Sequence, residues 1–217
     1  MNYATKVFEN LPPTKQRKVL SAAAAEFAQH GYDAANTNQI AKRAGISVGS
    51  LFQYFRTKRD VFLAVIDDGT NRLLAPVLEK AKDAPDVFTL FRLMLEEARD
   101  FALAYPDENR IYLKLTADTS PIMATSLARR IESLTIGCYR RAMRRSREQG
   151  LIREGLDDGF AAFQMDSLVL LFQFSFASDY YRERLFAYTA LDPEANSGSI
   201  IDALCYMAQK LLLPEKG

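Results

Sequence analysis

Almost every segment of this 217-residue chain repeats its apolar residues at helical spacing, and no segment makes a convincing strand. That pattern restricts the fold to the all-α class. Thr14–His30 reads as a first helix. Pro12-Pro13 stands before it, Gly31 follows as a C-terminal stop, and Leu20, Ala23, Ala24 and Phe27 share one inward face. Two short helices follow, then a long one from about Lys58 that Pro76 ends or kinks. Further helices are predicted over Asp86–Tyr105, Asn109–Thr116, Pro121–Gln149, Phe160–Arg182 and Ser199–Leu213, with Leu191–Gly198 a flexible loop by composition.

Charge separates a head from a body. Nine basic residues meet four acidic ones up to Asp60, so residues 1–60 hold +5 and the remainder −4 of the net +1. A basic head on a mildly acidic body points to a polyanionic partner for the head. With 48% hydrophobic residues the chain can bury a sizeable core without staples, and Cys138 and Cys205 make no disulfide framework. Asn2–Thr14 is polar and lacks a secretory pattern, while the most apolar stretch, Phe160–Ala177, is interrupted by Gln164, Asp166 and Gln173. No membrane partner is therefore expected, and the compartment reads as the cytoplasm. His30 is the lone histidine, and the chain has no paired metal-spaced cysteines, Gly-rich phosphate loop or Gly-x-Ser-x-Gly elbow. No catalytic residue, metal or cofactor is expected, and the chain does not read as an enzyme.

The stretch Asn36–Asp60 (NTNQIAKRAGISVGSLFQYFRTKRD) is the most informative. Asn36 with Gln39 is a variant capping box, in which Asn caps the helix start and Gln reaches back to it. Ile40 and Ala44 face inward, Gly45 supplies a tight turn, and Ser47 caps a second short helix. In that helix Leu51 and Phe55 face inward, leaving Val48, Gly49, Ser50, Gln53 and Tyr54 on the outer side. A recognition helix has this arrangement: small residues let its backbone approach the major groove while polar ones meet base edges. Thr57 caps the next helix, placing Lys58 where free N–H groups and an ammonium together suit a phosphate. A helix–Gly–helix corner also occurs in proteins that bind no DNA. A helical interaction protein is the alternative, separable by the salt dependence of DNA binding.

Gly31-Tyr32, Asn36-Thr37, Ile40-Ala41, Ala44-Gly45-Ile46-Ser47, Gly49-Ser50-Leu51-Phe52, Tyr54-Phe55 and Lys58 together resemble the N-terminal signature of the tetracycline-repressor (TetR/AcrR) family of transcriptional regulators. The resemblance covers about residues 14–62. It implies a helix-turn-helix head (1–60) on a larger helical body (61–217) that binds an effector and joins two chains through its last two helices. By position, it carries DNA contact onto Thr37, Ser47, Val48, Gly49, Gln53, Tyr54 and Lys58. Where the family usually has Tyr, with a hydroxyl for a phosphate, this chain has Phe52, which reads as structural instead. The implied partners are double-stranded operator DNA, a small-molecule effector and a second copy of the chain.

The body's own residues agree on the homodimer. Phe160–Ala177 is apolar around its whole circumference and so needs cover on more than one side, and Ile200, Leu204, Met207 and Leu211 form a companion stripe. Met94, Phe101, Tyr105, Tyr112, Met123, Tyr139, Phe163 and Phe172 are candidate pocket residues, as large aromatic and Met side chains line adaptable apolar sites. Asp166, in the middle of an apolar helix, requires a partner or a proton: it bonds a Tyr or Arg of the core, meets the second copy or holds a ligand, with a structural partner favoured. The run Arg140, Arg141, Arg144, Arg145, Arg147 is either a solvated face or a receptor for an acidic effector. Some family members bind fatty acyl-coenzyme A, whose phosphates fit the second reading.

Overall fold

Side-chain capping sets five of the helix starts among the described residues. A computed structural model of the chain describes residues 3–117 and 121–214, apart from the side chains of 117–132. In order the helices are α1 (Lys6–Glu9), α2 (Pro13–Ala34), α3 (Thr37–Ala44), α4 (Val48–Tyr54), α5 (Lys58–Ala81), α6 (Val87–Ala104), α7 (Pro106–Ala117), α8 (Pro121–Glu148), α9 (Asp158–Phe174), α10 (Asp179–Thr189) and α11 (Ser197–Leu212). No strand occurs among the described residues, as the periodicity requires. Side chains of Asn36, Ser47, Asp86 and Asp157 each accept a backbone N–H in the first turn of the helix that follows. Gly31 (φ 73°) interrupts α2 near its end, so the expected stop is present although three more residues resume the helix.

The chain packs as two units, residues 1–72 with 107–118 and residues 73–106 with 119–217. The first encloses Val19, Phe27, Ile40, Leu51, Phe55 and Val61, each at most 1% exposed. Burial of such side chains is worth ~1.5–3 kcal/mol apiece and holds α2, α3 and α4 together. Helix α7 joins this unit, where its Lys114 ammonium donates to the Ala28 carbonyl.

In the second unit α6 lies against α8, α9 and α11. Their shared core includes Leu90, Phe91, Leu95, Met143 and Ile201. Buried Ser146 of α8 accepts the Val87 N–H at 2.8 Å, so one helix caps another. The arginine run of α8 divides in two. Arg145 donates to the Ala84 carbonyl at 2.6 Å and Arg147 pairs with Asp158 at 2.6 Å, whereas Arg140 and Arg144 are exposed. The run is thus only in part a solvated face.

Two expected helices have different limits. Pro76 does not end α5, which continues to Ala81 although proline has no N–H for the Arg72 carbonyl. The helix predicted over Phe160–Arg182 breaks after Phe174, and α9 and α10 meet at a bend of 112°. Ser175, 1% exposed, donates its hydroxyl to the Phe172 carbonyl at 2.6 Å. That local bond competes with helix continuation without the warning of a Pro or Gly. No single described helix is long and apolar enough to cross a membrane.

Candidate functional site

The corner between α3 and α4 follows from its turn residues. Gly45 adopts the left-handed conformation (φ 70°, ψ 37°), its N–H returning to Ala41 and Lys42 carbonyls, while the Ile46 N–H bonds to Ala41 O at 3.0 Å. Ser47 Oγ then accepts the Ser50 N–H at 3.0 Å and starts α4. Asn36 caps α3 as predicted, accepting the Asn38 N–H at 2.8 Å. Its own N–H does not go to Gln39. It donates instead to Glu26 Oε1 at 3.1 Å. Glu26 is 2% exposed and also lies 3.8 Å from Arg43, so a buried carboxylate of α2 ties down the start of α3. Sequence spacing cannot reveal that tie, since Glu26 sits outside the capping pattern.

The outer side of α4 differs from the expected one at two places. Tyr54 is buried rather than outward, its ring 5.8 Å from Phe8 of α1. Phe52, expected to be structural, is 42% exposed. The reason is α1: Phe8 packs against both Tyr54 and Phe55, filling the side of α4 that a two-helix reading leaves open. The solvent side therefore consists of Ser47, Gly49, Phe52 and Gln53, with Val48 and Ser50 half-exposed beside them. A Cβ at Gly49 would meet nothing closer than Ser47 Oγ at 3.7 Å. Nothing inside the protein requires glycine there.

Thr57 caps α5 by accepting the Asp60 N–H at 3.1 Å. Lys58, in the first turn, donates to the Asp33 carbonyl at 2.8 Å and holds its ammonium 5.2 Å from the centre of the Tyr32 ring. Thr37, half-exposed, opens α3. Lys42, Arg43 and Arg56 are exposed on the same unit.

In the second unit the structure gathers Met94, Tyr139 and Phe172 in one core. Phe101 is buried against half-exposed Tyr105, with ring centres 5.5 Å apart. Phe163 is not with them: it is 68% exposed on α9, near Phe160 at 74%. Tyr112 belongs to the other unit, and Met123 lies outside the described side chains. Asp166 is half-buried, and its charge raises the pKa of Tyr139, although burial raises it more. A groove of about 150 Å³ is lined by Leu168, Leu171, Phe172, Tyr181, Leu185 and Tyr188, among others; of the predicted pocket residues it includes Phe172. Four of its nine lining residues come from α10, which the predicted single helix over Phe160–Arg182 did not separate. Among the described residues no group of three or more His, Cys, Asp or Glu could hold a metal ion.

Residues 19–65 match the family described as bacterial regulatory proteins, tetR family. The HTH-type transcriptional repressor Rv1474c of Mycobacterium tuberculosis is 30% identical over 132 residues, which are 57% of this chain and 70% of that protein. The HTH-type transcriptional regulator RutR of Escherichia coli O157:H7 is 30% identical over 123 residues, 55% of this chain, and the match spans just over half (56%) of RutR. Among solved structures, the transcriptional regulator FadR of Bacillus subtilis, in complex with stearoyl-CoA, has a TM-score of 0.67 at 18% identity, covering 87% of this chain and 97% of that one.

Proposed function

The chain belongs to the tetR family of bacterial regulatory proteins, and on that premise we propose that it is a ligand-released transcriptional repressor, cytoplasmic and active as a homodimer. Residues 1–60 read double-stranded operator DNA, and residues 61–217 bind a small, largely apolar effector and hold the two copies together. The observation that carries this reading is the outer side of α4. Ser47, Gly49 and Gln53 are exposed together, and the glycine serves no internal packing need. A helix interior pays ~1 kcal/mol for Gly relative to Ala, and close approach to a DNA backbone accounts for that cost.

Dimerisation is supported by the apolar side chains that one copy leaves exposed on its last helices: Phe160, Phe163 and Leu171 of α9, and Met207 and Leu211 of α11. A two-fold axis through such a face is isologous. It sets two recognition helices toward half-sites one helical turn, ~34–36 Å, apart on a pseudo-palindromic operator.

The effector is read as a fatty acyl-coenzyme A. Support comes from the apolar core of the body, exposed Arg140 and Arg144, and the similarity in fold to a regulator solved with stearoyl-CoA. Helix α5 starts in the first unit and ends in the second, so it is one continuous covalent path between effector and DNA. A difference of ~1–3 kcal/mol in effector affinity between the free and DNA-bound states suffices for release.

The test is selection of a duplex from a random pool by the full chain, followed by affinity measurements at rising salt. A symmetric site whose affinity falls steeply with salt, and loses its preference over random duplex in Gln53→Ala, is expected. An asymmetric site bound at full affinity, or a preference untouched by Gln53→Ala, contradicts the reading.

A further inference from the structure

Among the described residues, one buried polar side-chain atom of the body has no hydrogen-bond partner. It is the hydroxyl of Tyr139 of α8, a residue 2% exposed. It lies in a core with Phe91, Met94, Met165, Val169 and Phe172, where α8 meets α6 and α9. Buried hydroxyls are ordinarily satisfied, and a phenylalanine would fill an apolar core equally well. The hydroxyl therefore needs an explanation outside the packing.

The chemistry narrows what it can bind. Burial, and to a smaller degree the nearby Asp166 carboxylate, hold the phenol well above its ordinary pKa, so it stays protonated and can donate. A free donor in an apolar surround calls for an acceptor on an otherwise apolar molecule. Asp166 disfavours a second negative charge beside it. A neutral carbonyl oxygen meets both conditions and a free carboxylate does not.

We propose that the Tyr139 hydroxyl donates a hydrogen bond to the thioester carbonyl of the effector, making this phenol the residue that distinguishes an acylated coenzyme A from chains that lack a neutral carbonyl. The inference rests on the acyl-coenzyme A reading above and goes further by naming the atom recognised and the group that recognises it. Met94 and Phe172, in the same core, lie along the acyl chain.

The experiment uses the full-length protein and two probes, palmitoyl-coenzyme A and its thioether analogue S-hexadecyl-coenzyme A, which has no carbonyl. Affinities are measured for the wild type and Tyr139→Phe, with thermal melts of both proteins. The wild type is expected to prefer the thioester by about tenfold, the scale of one buried hydrogen bond, and Tyr139→Phe to bind the two probes equally. The melting temperature of Tyr139→Phe is expected to be unchanged or higher, because the substitution removes an unsatisfied polar group. Equal binding of the two probes by the wild type, or a preference that survives in Tyr139→Phe, overturns the Tyr139 assignment while leaving the effector reading intact. A marked fall in melting temperature also overturns it, since the hydroxyl would then have a partner within the protein. Failure of the wild type to bind either probe overturns both.

Discussion

On the proposed reading, Gly49 separates stability from function at a single residue. Its Cβ position is open and it lies within a helix, so Gly49→Ala should stabilise the fold by up to ~1 kcal/mol. The added methyl would stand on the face offered to DNA. Melting temperature should hold or rise while operator affinity falls, and a melt paired with fluorescence anisotropy on the selected duplex checks both. Glu26 behaves in the opposite way. Its buried carboxylate accepts the Asn36 N–H and faces Arg43, so Glu26→Ala strands a backbone donor and should cost ~1–3 kcal/mol. Denaturant unfolding measures that loss.

A third group of residues predicts a pH effect. Arg72 faces two carboxylates, Asp68 at 2.5 Å and Glu108 at 3.6 Å. Burial raises the pKa of both, a larger effect than the lowering by Arg72. A carboxyl whose folded pKa is raised binds its proton more tightly in the native state, so its contribution to stability is present at low pH and lost as pH rises through the folded pKa. Glu108→Gln removes one of these two protons from the balance. Between about pH 4 and about pH 8 the melting temperature of the wild type should decline relative to that of Glu108→Gln, and a constant difference across that range would refute the assignment.

At the scale of elements, α1 is small and consequential. Thr5 donates its N–H to the Tyr54 carbonyl at 3.0 Å and its hydroxyl to the Gln53 carbonyl at 2.8 Å, closing the C-terminal end of α4 from outside. Phe8 adds the ring that buries Tyr54. The segment before the first long helix thus orients the helix assigned to DNA. Phe8→Ala should cost up to ~3 kcal/mol, the low end for a buried Phe because a one-turn helix can detach, and should weaken operator binding beyond what the stability loss explains. Binding measured well below the melting temperature separates the two effects. Helix α10 shows the same dependence on local chemistry. It starts after α9 ends at Phe174, where the Ser175 hydroxyl bonds to its own backbone, and it carries Tyr188, 80% exposed, at the edge of the groove.

At the scale of the molecule, the proposed homodimer has the widest consequences. Met207 and Leu211 of α11 are about half exposed one turn apart, whereas Ile200 of the same predicted stripe is buried in the chain's own core. The face proposed to meet a second copy is therefore the C-terminal half of α11 with the exposed residues of α9. Met207→Glu with Leu211→Glu would place charge on that face at no cost to the monomer's core. The variant should elute and scatter light as a monomer, keep its melting cooperativity, and lose most affinity for a two-half-site duplex. A variant that remains dimeric would move the interface elsewhere.

The all-α class, the helix-turn-helix head and the caps at Asn36, Ser47 and Thr57 were legible in the chain, whereas the cap at Asp157 was not. Each legible feature depends on neighbours a few residues apart: a 3.6-residue period, a side chain reaching the next turn, a glycine at a left-handed position. Contacts distant in sequence were not legible. Phe8 against Tyr54, Glu26 against Asn36, Ser146 against Val87 and the unsatisfied hydroxyl of Tyr139 each depend on residues that only packing brings together. Phe52 and Tyr54 illustrate the division within one helix. Periodicity placed the helix, but which of the two faces solvent was decided by a ring from α1, because a side chain's exposure is a property of everything that surrounds it.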